Sequence, residues 1–397
     1  MPSLLFINRV YPPEAGATGR VLEYMAEGFA CAGWNVSVLT TAGGKAISGN
    51  STRNGVKIIR IGGMFSKRSL IARALGYALM IPVFFCKAVL LPRADVVVTM
   101  TDPPMLLVIG PLLRLLKGSR LIHWAQDLYP EVAVELGIFS AGSSITKLLR
   151  FLSSRAMRWH DRMVVVGRCM VSRLRNRGIP REAICVIPNA GVEQEIIPVP
   201  HASNSFRHQH GLEPFFVVEY SGNLGMAHEF ETVMEAARRL QDVGEDDVLF
   251  LFVGGGPREN ELKITVQKLG LKNIRFLAAQ SDELLGESLS AADLHLVTMK
   301  NEMEGLVVPS KFYGVMAAGR PCLFVGPAAS EVALVIVDSG AGTIFSPGDT
   351  SGLVASILEY RDDSELLAMT GVKAGECLKD QDSLRLFIDC AAELLPA

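Results

Sequence analysis

No two cysteines of this chain stand near one another. Cys31, Cys86, Cys169, Cys185, Cys322, Cys377 and Cys390 are scattered through 397 residues, with no Cys-x-x-Cys pair and no histidine at ligand spacing. That argues against a zinc framework and for a reducing compartment such as the cytosol. A membrane span is missing too. The most apolar stretch, Ala74 to Cys86, is bounded by Arg73 and Lys87 and contains Pro82, and it is shorter than the roughly 20 residues that cross a bilayer. A buried or interfacial helix is expected there instead. No signal peptide is expected, because Met1-Pro2-Ser3-Leu4-Leu5-Phe6 enters a strand pattern directly. Charge is scarce: 20% of residues are charged, 49% are hydrophobic and the mean hydropathy is +0.29. Such a chain is not disordered; either its interior is large or part of its surface is made for lipid.

The net charge of −2 conceals a strong polarity. Residues 1 to 190 carry 24 Lys and Arg against 10 Asp and Glu, and the remainder carries 15 against 31. Two halves of opposite sign point to two domains with different partners, as the length also does. No zinc finger, aromatic RNA-binding strand or lysine-rich tail is legible, so nucleic acid is not an expected partner. An anionic membrane surface is, and so is a helix over Ser69–Leu91 flanked by Lys67, Arg68, Arg73, Lys87 and Arg93.

Short apolar runs alternate with helical patterns from end to end, which predicts a parallel, doubly wound α/β architecture. In the first half, strands are expected at Leu4–Asn8, Val36–Thr40, Val56–Ile61, Val96–Thr99, Leu121–Trp124, Met163–Val166 and Ile184–Ile187. In the second they are expected at Phe216–Tyr220, Leu249–Val253, Ile274–Phe276, Leu294–Val297, Cys322–Val325 and Thr343–Phe345. Residues 198–214, rich in Pro, His, Asn and Ser, read as a linker between a domain over 1–197 and another over 215–379. A helix over about 380–397 is expected to pack back on the first domain.

Several strand ends carry chemistry, and ligands of such sheets bind at those ends. The segment Pro309-Ser310-Lys311-Phe312-Tyr313-Gly314-Val315-Met316-Ala317-Ala318-Gly319-Arg320-Pro321 reads as a helix start, interior and stop before a buried strand. A first helical turn attracts phosphate oxygens, and Lys311 adds a charge there. On this segment alone, an N-cap at Ser310 and a solvated Lys311 are the plainer reading. After the first strand, Glu14-Ala15-Gly16-Ala17-Thr18-Gly19 offers small residues before a helix, either as a ligand loop or as a simple turn. His123 on its apolar strand reads as a core residue, whereas Asp127 in Gln126-Asp127-Leu128-Tyr129-Pro130 has no evident duty beyond capping. Ser221-Gly222-Asn223-Leu224-Gly225 repeats the strand-to-helix arrangement. Phe252-Val253-Gly254-Gly255-Gly256-Pro257-Arg258-Glu259 is a poor dinucleotide fingerprint, since Glu259 replaces the third glycine.

Together these segments resemble the nucleotide-sugar glycosyltransferases of family 4, and above all the bacterial surface-polysaccharide branch. In that branch a Pro-Ser-Lys-x-Tyr-Gly-x-x-Ala-Ala-Gly-x-Pro run and a Gln-Asp-x-Tyr-Pro run are typical. The resemblance covers nearly the whole chain and is strongest over 220–325. It implies a GT-B fold, two Rossmann-like doubly wound domains facing a cleft, and retaining transfer without a metal or cofactor. It implies a donor side of Gly16, Gly222, Asn223 and Gln280 with Pro309, Ser310, Lys311 and Tyr313. Glu14, His123 and Asp127 fall on the acceptor side, with Asp127, Glu304 and Lys311 as the catalytic candidates.

Two departures stand out. The family's basic pair after the glycine of the second domain is replaced by Leu224 and Met226, which leaves Lys300 and Lys311 to stabilise a leaving diphosphate. Gly314 stands where the wider family has its second glutamate. The expected activity is transfer of a sugar from a UDP-sugar to a hydroxyl of a lipid-linked or glycan acceptor, by a cytoplasmic protein peripheral on the inner face of the membrane. A nucleotide-sugar 2-epimerase and a catalytically silent nucleotide-sugar-binding protein are the rival readings.

Overall fold

The computed structural model describes residues 1–14, 16–43, 48–62, 70–191, 193, 196–378 and 382–396. The chain divides into two compact units: unit 1 is Met1–Val192 with Gly305–Val307 and Asp382–Ala397, and unit 2 is Glu193–Glu304 with Val308–Gln381.

Unit 1 contains strands β1 (Ser3–Ile7), β2 (Asn35–Ala42), β3 (Gly49–Arg53), β4 (Val56–Gly62), β5 (Val96–Thr99), β6 (Arg120–Ala125), β7 (Arg162–Val165) and β8 (Ile184–Val186). Its helices are α1 (Ala17–Cys31), α2 (Leu70–Leu90), α3 (Ile109–Lys117), α4 (Glu131–Glu135), α5 (Ser144–Met157) and α6 (Cys169–Asn176). The sheet runs β3-β4-β2-β1-β5-β6-β7-β8, parallel throughout except for β3 against β4. β3 was not legible in the sequence because Gly-Asn-Ser-Thr-Arg is fully exposed and carries no apolar alternation. Right-handed crossovers place α2, α3 and α5, which step the chain from β4 through β5 and β6 to β7, on one sheet face, and α1, which steps back from β1 to β2, on the other.

Unit 2 contains β9 (Phe216–Ser221), β10 (Val248–Val253), β11 (Ile274–Leu277), β12 (Leu294–Thr298), β13 (Cys322–Val325) and β14 (Gly342–Phe345). Its helices are α7 (Ser205–Gln209), α8 (Glu231–Asp242), α9 (Glu259–Leu269), α10 (Leu285–Ser290), α11 (Lys311–Ala317), α12 (Glu331–Ser339), α13 (Thr350–Asp362) and α14 (Ser364–Glu376). The order β11-β10-β9-β12-β13-β14 is wholly parallel and reverses direction between β9 and β12. β10, Val-Leu-Phe-Leu-Phe-Val, is buried at every position, as a strand covered on both faces must be.

One expectation needs correction. Residues 198–214 are not a linker between the two units: they belong to unit 2, where Asn204 caps α7 and Phe206 and Arg207 are buried. Arg207 donates to the carbonyls of Ala291, Leu212 and Phe215, a network of side chain to distant backbone that leaves no periodic trace in sequence. The cysteines, scattered in sequence, are not all scattered in space. Cys185 and Cys390 lie with their sulfurs 3.1 Å apart as free thiols. Lys67 and Arg68 lie outside the described residues.

The last helix, α15 (Ser383–Ala392), is part of unit 1. Phe387 is fully buried, with its ring 4.9 Å from Trp124, 5.7 Å from Phe29 and 6.2 Å from Phe6. Gly28 allows this approach, since a Cβ there would stand 2.4 Å from a methyl of Leu384. Phe387→Ala should therefore lower the stability of unit 1 by about 3–5 kcal/mol, the range for emptying a buried phenylalanine site. Urea unfolding followed by tryptophan fluorescence, to which Trp34 and Trp124 of unit 1 contribute, is the measurement.

Candidate functional site

In unit 2 the carboxyl ends of β9, β10 and β11 lie along one edge of the sheet, next to that of β12 at the point where strand order reverses. Crevices at such points take ligands in open α/β sheets. The loops after β9 and β10 touch backbone to backbone: Gly222 N–H donates to Val253 C=O at 2.8 Å and Leu224 N–H to Gly255 C=O at 2.9 Å. Gly254 has φ +134°, and a Cβ on it would lie 2.2 Å from the Gly222 carbonyl oxygen, so no other residue fits without moving the loop.

Lys311 opens α11 and reaches back over this junction. Its Nζ donates to the Tyr220 hydroxyl, sits 3.6 Å from the Tyr220 ring centroid and lies 3.5 Å from His228 Nε2. A Cβ on Gly222 would be 3.6 Å from Lys311 Cε. Tyr220 passes its own proton to the Asn223 carbonyl at 2.8 Å. His228 Nδ1 is 2.6 Å from the Thr298 carbonyl, which requires N–H there and leaves Nε2 as an acceptor toward the ammonium. Burial pushes Lys311 well below the ordinary lysine range, and burial with the charge of Lys311 pushes His228 down to about 3. Among the described residues no carboxylate pairs with Lys311. Tyr220 and His228 were missed in the sequence. Tyr220 had a signal in its place at a strand end, and His228 had none.

The other donor-side candidates stand as follows. Ser310 stands at the N-cap position of α11, as expected, but its hydroxyl makes no capping bond. Pro309 and Tyr313 are buried, Tyr313 packing its ring against Phe312 at 5.8 Å. Gln280, after β11, turns its amide onto the Ala278 carbonyl. Lys300 follows β12, half-buried, with its backbone N–H on Ala227 C=O. Glu304 is half-buried after the short turn Asn301–Met303. Gly314 is inside the core, where a Cβ would be 3.3 Å from Leu289 Cδ1, so a glutamate at this place would have to displace Leu289. Arg258 is not a free cation: it bonds Glu231 and Glu261 and lies over the Phe230 ring.

In unit 1 the strand order reverses between β1 and β5. There Arg9 grips Asp102 through two bonds of 2.8 Å and pairs with Glu14 at 2.9 Å. Glu14, expected to face the acceptor, is thus engaged by Arg9. Gly16 starts α1, and a Cβ on Gly19 would press on Val10 at 2.9 Å. His123 is buried on β6 with Nδ1 3.0 Å from the Thr99 hydroxyl, which lies 3.5 Å from His160 Nε2. Burial, with His160 adding to it, takes His123 down to about 3, so it is neutral at physiological pH. Asp127 pairs its backbone with Val307, and Leu128 N–H donates to Leu306 C=O at 2.9 Å. Burial, and secondarily Asp102, raises the Asp127 carboxyl to about 6. Among the described residues no cluster of His, Cys, Asp and Glu could hold a metal ion.

The description "Glycosyl transferase 4-like domain" matches residues 16–190, and "Glycosyl transferases group 1" matches residues 203–376. The chain belongs to the family 4 glycosyltransferases. It is 29% identical to the probable glycosyltransferase WbjE of Pseudomonas aeruginosa over 76% of both chains. To the putative colanic acid biosynthesis glycosyl transferase WcaI of Escherichia coli K12 it is 28% identical, over 62% of this chain and 61% of that one. Among solved structures, sucrose-phosphate synthase of Thermosynechococcus elongatus aligns at TM-score 0.79 and 16% identity over 99% of this chain and 98% of that one. WaaG, a glycosyltransferase involved in lipopolysaccharide biosynthesis, aligns at 0.73 and 18% over 99% and 100%. Anabaena HepE, solved with UDP and glucose, aligns at 0.74 and 16% over 99% of both chains. These likenesses establish the GT-B fold.

A carboxyl raised from 3.8 to about 6 holds its proton in the folded protein at pH values where the unfolded chain has lost it. Its contribution to stability is complete below the unfolded value and is lost as pH rises through about 6. Asp127→Asn should therefore melt close to the wild type at pH 4 and above it at pH 7. A melting-temperature difference independent of pH would show that Asp127 ionises normally.

Proposed function

We propose that this glycosyltransferase moves a sugar, with retention at the anomeric carbon and without a metal, from a UDP-sugar to a hydroxyl of a lipid-linked intermediate in cell-surface polysaccharide synthesis. The observation that carries the donor half is Lys311: an enclosed ammonium with no carboxylate partner among the described residues, held by Tyr220 and His228 at the switch point of unit 2. Such a cation is poorly stabilised until an anion arrives, and a diphosphate has the charge and size for it. During transfer the bond from the anomeric carbon to the diphosphate oxygen breaks with its electron pair staying on the diphosphate, and Lys311 stabilises the charge that develops there. The acceptor oxygen forms the new bond to the anomeric carbon, and its proton passes to the departing diphosphate. Asp127, mostly ionised at neutral pH yet easily protonated at about 6, is the group in unit 1 suited to hold that hydroxyl.

Names of relatives support the wider context: WcaI is described for colanic acid, and HepE has been solved with UDP-glucose. No helix among the described residues is long and apolar enough to cross a membrane. The reading has a peripheral protein meeting a lipid-linked acceptor at the cytoplasmic face of the bilayer.

Incubation with UDP-sugars and extracted membrane lipids tests the reading. A glycosylated lipid is the expected product, whereas a new nucleotide sugar would mark an epimerase and binding without turnover a silent protein. Lys311→Ala should weaken UDP binding by about 1.5–3 kcal/mol, the loss of one charge-assisted contact. Calorimetric affinity equal to the wild type would remove Lys311 from the donor site.

A further inference from the structure

The outer face of the α2, α3 and α5 layer is built unlike a soluble surface. On α2, Leu75, Leu79 and Leu90 are 59%, 55% and 79% exposed. Leu115 and Leu116 on α3 are 67% and 63% exposed, and Leu148 and Phe151 on α5 are 57% and 65% exposed. The inner faces of α2 and α3 are already satisfied, since Met80, Phe84, Ile109 and Leu113 pack on Leu5, Ile7 and Val97 of the sheet. The outward leucines are therefore a second apolar surface and not a core turned outward. Isolated exposed leucines are ordinary, but a whole helical layer of them marks an interaction surface. The same three helices carry seven Lys and Arg and no Asp or Glu.

At the edge of this face α5 also lines an opening of about 460 Å³. Arg150 and Ser154 on α5 and Arg158 just past its end share it with Arg177 and with one carboxylate, Glu131. Glu131 accepts from Arg177 at 3.4 Å and lies 3.6 Å from Arg150, so the opening holds three guanidiniums and one carboxylate. Burial lowers the pKa of Arg177, Glu131 offsets this in part, and Arg150 and Arg158 oppose its charge further.

We propose that this layer is a docking face for an anionic phospholipid bilayer, with the apolar residues of α2, α3 and α5 entering the headgroup boundary and the Arg150–Arg158–Arg177 opening seating a lipid phosphate. Apolar burial supplies attachment to any bilayer, and the excess of Lys and Arg over their acidic partners Asp161 and Glu131 supplies the preference for an anionic one. This deepens the proposed function, because it rests on that reading for the lipid-linked acceptor and says which surface brings the enzyme to it.

Co-sedimentation of the full chain with vesicles of phosphatidylglycerol mixed with phosphatidylcholine, and of phosphatidylcholine alone, tests it. The wild type should bind the anionic vesicles at least about tenfold more tightly, with the difference shrinking as salt rises. Leu115→Glu combined with Phe151→Glu should abolish binding to both. Arg150→Ala combined with Arg158→Ala should remove the anionic preference alone. All these positions are in unit 1, so UDP affinity of every variant should match the wild type, and wild-type urea unfolding by the fluorescence of Trp34, Trp124 and Trp159 reports that unit 1 is folded. Equal binding to both vesicles would overturn the phosphate seat. A solution dimer that the Leu115 and Phe151 variant converts to monomer, without vesicle binding by the wild type, would assign the face to a second copy. Tight binding of inorganic phosphate with no sedimentation on either vesicle would assign the opening to a soluble phosphate compound. Failure of sugar transfer with vesicle binding intact would strike the proposed function and leave the docking face standing.

Discussion

Two strand-end loops of unit 2 can meet only because positions 254 and 256 are glycines. With 2.2 Å between the Gly222 carbonyl oxygen and the place where a Cβ of residue 254 would fall, any side chain there forces β9 and β10 to end differently. Much else in the unit depends on that contact. It sets where Tyr220 leaves β9, so that its hydroxyl meets both the Asn223 carbonyl and the Lys311 ammonium. It also leaves the Gly222 backbone bare beside Lys311 Cε, so that a ligand can approach main chain and cation together.

The enclosed cations of this protein are handled in two opposite ways. Arg9 at the unit 1 switch point is balanced by Asp102 and Glu14, and Arg258 in unit 2 by Glu231 and Glu261. Those guanidiniums hold loops in place. Among the described residues Lys311 is held by neutral groups alone, and desolvation with no compensating charge is costly to the folded protein. Binding sites are where such an unfavourable arrangement is retained, because the incoming anion supplies what the fold withholds.

A similar contrast runs through unit 1. One face of its sheet is closed by α1 and α15, with Phe6, Phe29, Trp124 and Phe387 meeting edge to face or tilted. The other is closed by helices whose outer side exposes Leu75, Leu79, Leu115, Leu116, Leu148 and Phe151. The positive charge of the first half of the sequence is concentrated in part on these helices. Net charge alone says little about where a protein binds; its placement beside exposed leucine does.

The sequence by itself determined the architecture and the family. All the expected strands are present because apolar runs bounded by Gly and Pro are local signals, and the Pro309–Pro321 run marked the start of α11. It did not reveal β3, whose residues are polar and exposed, nor the ordering of residues 198–214, which Arg207 achieves through carbonyls up to 84 residues away. Only the tertiary structure decided which candidates are available for binding and which are occupied. Glu14 proved to be engaged by Arg9, and Cys185 met Cys390 across 205 positions. Lys311 met Tyr220 and His228, which lie 91 and 83 positions before it. The physical reason is that periodicity reports which way a side chain faces, whereas its charge state and its partners are set by desolvation and by groups brought from elsewhere in the chain.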